Sequence, residues 1–217
     1  MKDQPKRAVA LGGLVLLACG VSHFIGGQWI PWVLLLLSGV GMWWRVDRPE
    51  TADAPAQERD AWWAAALKSG LEGTGVCLVV LPLYLAVQYG LSRGVDLVQW
   101  RFAPPPDLTA SLATNVIVVA IPEELFFRGI LQPGLDGLSP RRWTVLRART
   151  GPGLFAAAAL FGLCHVILQP ANVTAWLVVV PGLLFGWLYA RRRSIVGPVI
   201  CHVACNLTIA VFPPLAG

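Results

Sequence analysis

The stretch VTAWLVVVPGLLFGWL, residues 173–188, runs for sixteen residues without a charged side chain. AVALGGLVLLA (8–18) and WVLLLL (32–37) repeat the pattern. Apolar runs approaching 20 residues match the roughly 30 Å hydrocarbon thickness of a bilayer. Of 217 residues, 56% are hydrophobic and 13% charged, and the mean hydropathy is +0.62, whereas a soluble globular domain carries about 25% charged residues. Composition therefore selects a membrane-embedded chain. Lipid offers backbone amides no partner, so its spans are expected to be helices.

Working outward from that stretch, seven spans are drawn at 8–27, 29–44, 70–91, 108–131, 153–169, 173–190 and 195–212, with eight as the alternative count. The second is short enough to be tilted or partly re-entrant. The expected fold is an all-α polytopic transmembrane bundle in three parts: an N-terminal hairpin (1–46), a solvated linker (47–69) whose residues 47–60 are rich in Pro, Asp, Glu and Ala, and a main bundle (70–217). With the N-terminus in the cytoplasm, fourteen of the seventeen basic residues fall inside: Lys2, Lys6, Arg7, Arg45, Arg48, Arg59, Lys68, Arg141, Arg142, Arg147, Arg149, Arg191, Arg192 and Arg193. Arg93 and Arg101 fall outside and Arg128 lies within a span. The positive-inside rule thus orients the chain N-in and C-out. The net charge of +5 is explained by this topology, and no nucleic-acid partner is expected. The basic and apolar mixture at 141–149 reads as a segment lying on the anionic inner surface.

The five cysteines, Cys19, Cys77, Cys164, Cys201 and Cys205, sit in apolar segments without a CxxC pair. They read as packing residues, with no disulfide framework and no thiolate zinc site implied. The N-terminus resembles a signal peptide, but residues 8–27 are long enough to stay as a span, so no cleavage is expected.

Ionisable groups inside spans cost roughly 2.5–3.5 kcal/mol each on insertion scales, so a cluster of them calls for a function. In IPEELFFR (121–128), Glu124 and Arg128 are four apart on one helical face, acid before base, the favoured order for an ion pair. Glu123 points about 100° away. One glutamate is neutralised by its neighbour and the other is left over, the arrangement that general-base chemistry uses. The same pair of acids also suits a helix start after Pro122. In FGLCH (161–165), small neighbours let His165 press against another helix, where it serves equally as a packing residue or as a ligand or catalyst. In HVACN (202–206), His202 and Asn206 share a face, either as oxyanion donors or as an interhelical hydrogen-bond pair. His23, without polar companions, is taken as structural.

Taken in order, E-E-x-x-x-R, F-x-x-x-H and H-x-x-x-N, each in its own span, resemble the CAAX-protease and bacteriocin-processing (CPBP, or Abi) family of intramembrane peptidases over roughly 70–212. The resemblance implies a glutamic-type intramembrane endopeptidase of membrane-associated proteins or peptides, placed in the bilayer of a bacterial plasma membrane. It implies that Glu123 and His165 activate water, that His202 and Asn206 hold the oxyanion, and that Glu124, Arg128 and Phe161 support them. The small size and Trp-rich first hairpin are compatible with the myxosortase-like subgroup. The motifs are shared by sorting enzymes, prenyl-protein proteases, bacteriocin-related peptidases and immunity proteins, so they do not name the substrate.

No cofactor is expected. The alternative is a zinc ion on Glu123, His165 and His202 with water in an open position, but HExxH is absent and Asn206 would be left without a role. Two non-peptidase readings stand beside these: a catalytically silent immunity or scaffold protein, and a transporter suggested by Pro122, Pro181 and Pro198. The lack of repeated halves opposes the transporter.

Overall fold

The computed structural model describes residues 3–25, 29–43, 62–94, 102–170 and 175–212. The described residues form a bundle of seven helices: α1 (Gln4–Ile25), α2 (Ile30–Trp43), α3 (Trp62–Gly94), α4 (Leu108–Asp136), α5 (Pro152–Leu168), α6 (Val179–Arg192) and α7 (Val196–Val211). Among the described residues three helical stretches qualify directly as spans by length and hydropathy, Gln4–Ser22, Trp63–Ala86 and Leu108–Asp136, and shorter apolar helices cover Ile30–Met42, Pro152–Leu168 and Val196–Val211. The result is a helical membrane bundle, as composition requires.

Three differences from the sequence reading have physical causes. The third helix begins at Trp62 rather than near 70, because hydropathy detects the part of a helix that lipid covers, while Ala64–Ala66 favours helix beyond it. Residues 62–69 are thus helical, and the remainder of the proposed linker, 47–61, lies outside the described residues, as does the side chain of His23. The fourth helix continues to Asp136 and is irregular: Asn115–Ala120 and Leu125–Leu131 are wide π-helical turns around the α-helical Ile121–Glu124. Pro122 and Pro133 each withhold an amide donor and crowd the preceding turn, and π-turns of this kind concentrate at functional sites. Residues 141–149 are not helical. Trp143–Val145 (β1) and Ala148–Thr150 (β2) form an antiparallel hairpin, the one departure from all-α among the described residues.

α4 is the centre of the bundle. One face, with Phe126, Phe127, Ile130, Leu131 and Leu135, packs on Ala8, Leu11, Val15 and Cys19 of α1 and Ile30, Leu34 and Leu37 of α2. The N-terminal hairpin therefore shares its core with the main bundle. The opposite face of α4 meets α5, α6 and α7. α3 and α7 touch backbone to backbone: a Cβ on Gly73 would lie 2.7 Å from the Gly197 carbonyl, and Gly197 N–H donates to Ser69 Oγ at 2.9 Å. The five cysteines are free, and Cys77 and Cys201 face each other across this contact with sulfurs 3.1 Å apart.

The helix ends define two poles. At one, Gly137 lies against Pro5, and Glu72 pairs with Arg191 at 2.7 Å and with Arg192. At the other, Asp107 caps α4 through Ala110 N–H at 2.8 Å, and Ala103 N–H donates to the Val211 carbonyl at 2.8 Å. The β-hairpin belongs to the first pole.

Candidate active site

Every fourth residue along the inner face of α4 is polar and buried: Glu124, Arg128, Gln132 and Asp136 are 0%, 1%, 1% and 3% exposed. A file of this kind survives in lipid only if neighbouring helices supply partners. α6 supplies two through carbonyls one turn apart: Arg128 donates to Gly182 O at 3.2 Å and Gln132 to Gly186 O at 3.0 Å. The glycines let the side chains reach the backbone, since a Cβ on Gly186 would lie 2.8 Å from Gln132 Oε1. At the hairpin pole Asp136 Oδ1 accepts from Gly153 N–H at 2.8 Å and tethers the start of α5.

The two glutamates are used differently. Glu124 Oε2 lies 3.1 Å from Arg128 Nε, a close charge contact without hydrogen-bond alignment. Its Oε1 lies 2.8 Å from His202 Nδ1. Glu124 thus joins α4 to α7 as well as to its own turn. Glu123 has no hydrogen-bond partner at its buried Oε2. Its nearest basic group among the described residues is His202 Nε2, at 3.7 Å. Glu124 is thus the more heavily engaged of the two carboxylates. The further attachment of Glu124 to His202 links residues 78 apart, which local spacing cannot reveal.

Aromatic rings enclose the network. Phe161 lies under the Arg128 guanidinium, 4.4 Å from ring centroid to Cζ, with ring centroids 4.6 Å from His165 and 5.8 Å from His202. Phe185 stacks on His202 at 5.2 Å and 18° and lies 5.3 Å from the guanidinium. Cation–π contact of this sort supplements the incomplete hydrogen bonding at Arg128 Nη1. Phe161 is therefore the hub that explains why a phenylalanine precedes His165 by one turn. Phe185 and Gly182 were missed from sequence; the Gly182-x-x-x-Gly186 spacing, a small-residue packing signal, could have pointed to them.

His165 Nδ1 is 2.9 Å from the Phe161 carbonyl, which orients the ring and leaves Nε2 for the site. From sequence His165 stands nearer the opposite pole than Glu123 and His202, and α5 starting at Pro152 gives no late start to correct for this. The offset is reduced by side-chain direction, because the Cα–Cβ bond tilts back toward the helix N-terminus. His165 and Glu123 make no ion-pair contact. Asn206 is half-buried on α7, one turn beyond His202, and its carboxamide has no hydrogen-bond partner among the described residues.

Among the described residues no three His, Cys, Asp or Glu side chains converge as a metal site.

Residues 105–208 match the family described as type II CAAX prenyl endopeptidase, Rce1-like. All three motifs lie within that match, which supports the CAAX-protease and bacteriocin-processing family for this chain. No curated protein and no solved structure gives a match.

Proposed function

We propose that this chain hydrolyses a peptide bond in a membrane-anchored protein or peptide, with water activated by Glu123 and His165 and without a metal ion. The observation that carries the reading is the asymmetry of the glutamates: Glu124 lies 3.1 Å from Arg128 and is hydrogen-bonded to His202 at 2.8 Å, whereas Glu123 makes only a 3.7 Å contact with His202 Nε2. Glu123 takes a proton from water as the hydroxyl oxygen bonds to the scissile carbonyl carbon. His165, oriented through Nδ1, presents Nε2 to the same water. His202, held by Glu124, and the Asn206 amide donate to the oxyanion. The proton then passes to the leaving nitrogen as the C–N bond breaks. The charge asymmetry of the loops supports a multi-pass plasma-membrane orientation with the N-terminus in the cytoplasm.

The matched family's description supports a prenylated C-terminal peptide as the first substrate to try, with a C-terminal sorting tail as the second. The test is release of the C-terminal fragment by the full chain in proteoliposomes. Activity should persist in a zinc chelator and fall by roughly 10²–10⁴-fold in His165→Ala, the range for lost acid–base catalysis. Full activity in His165→Ala contradicts the mechanism, and chelator inhibition reversed by zinc replaces it with the metal form.

A further inference from the structure

The hairpin between α4 and α5 turns through two residues, Leu146 and Arg147, with φ of 46° and 66°. Turns of this type are ordinarily made by Asn-Gly, because a left-handed backbone strains side chains with a normal Cβ. Here a leucine and an arginine occupy both positions, and packing does not account for them: Leu146 is 76% exposed and Arg147 is exposed. The surrounding structure nevertheless holds the turn. Trp187 Nε1 donates to Val145 O at 3.0 Å and Arg191 Nη1 to Leu146 O at 2.6 Å, while Arg191 is itself anchored on Glu72. An enforced turn that presents side chains unused by the fold calls for an external partner.

Chemistry identifies that partner. β2 turns Ala148 and Thr150 inward, while β1 is exposed throughout, with Trp143 and Val145 at 43% and 45%. Arg141, Arg147 and Arg149 are exposed, and among the described residues none has a carboxylate within ion-pair distance. An apolar tip flanked by uncompensated guanidiniums matches the boundary between acyl chains and phosphates. In the N-in orientation this pole meets the anionic inner leaflet.

We infer that the 143–150 hairpin is a docking site for anionic phospholipid: Leu146 and Trp143 enter the acyl boundary, and Arg141, Arg147 and Arg149 hold the phosphodiester, which guanidinium geometry suits. This holds whether or not the chain is a peptidase, since it rests on the membrane bundle and its orientation alone.

The test is native mass spectrometry of the full chain released from micelles containing equal phosphatidylglycerol and phosphatidylcholine. Wild type should retain phosphatidylglycerol preferentially. Arg141→Gln/Arg147→Gln/Arg149→Gln should lose that preference, by about fivefold per arginine. A second variant, Leu146→Asn/Arg147→Gly, gives the turn its favoured residues, so it should melt at or above the wild-type temperature yet lose at least the Arg147 share, again about fivefold. Absence of preference in wild type, or unchanged preference in both variants, overturns the inference.

Discussion

The two faces of α4 solve the same problem by different means. Toward α1 and α2 the helix presents Phe127, Ile130 and Leu131 to an apolar surface; toward α6 and α7 it presents Glu124, Arg128 and Gln132 to carbonyls and an imidazole. In lipid the first face gains little from apolar transfer, because lipid tails are as apolar as leucine, and is held mainly by close packing. The second has no alternative partner once buried, so each bond is needed to offset the removal of a polar group from water. The back of α4 can therefore change shape at modest cost, whereas the front must stay chemically complete.

The largest effect should come from breaking the front. Arg128→Ala strands Glu124 and removes the Gly182 contact, and loss of one partner from a buried pair costs about 3–5 kcal/mol. Thermal unfolding in micelles should show the loss, with no turnover remaining. The back should respond less. Ile130→Ala, which opens space against Gly41, should cost about 1–2 kcal/mol, below the 2–5 typical of water-soluble cores because the transfer contribution is small in lipid. The variant that folds should keep wild-type kcat. Gln132→Leu removes one interhelical bond, expected at about 0.6 kcal/mol from membrane double-mutant cycles. A larger penalty for Ile130→Ala than for Arg128→Ala would reverse the contrast between the faces.

How far the sequence reveals this contrast depends on where lipid makes residues conspicuous. Glu123, Glu124, Arg128, His165 and His202 stand out because each is costly in a span, and the four-residue spacing of Glu124 and Arg128 already places them together. Apolar partners carry no such flag: Phe185, stacked on His202, reads as one more span residue. The 141–149 segment was legible as a basic surface element from composition, but its hairpin form was not, because Leu146 and Arg147 occupy a turn whose usual signal is Asn-Gly. The wide turns of α4 follow from Pro122 and Pro133, yet hydropathy passes over them because it counts residue character rather than missing amide donors.

The central claim is that adjacent glutamates hold different offices, Glu124 structural and Glu123 reactive. Turnover and thermal unfolding of Glu123→Gln, measured on the same preparation, test it most directly. Turnover reduced by about 10²-fold or more with an unfolding temperature unchanged from wild type is the predicted result. Wild-type turnover in Glu123→Gln, or unfolding as severe as in Arg128→Ala, would contradict it.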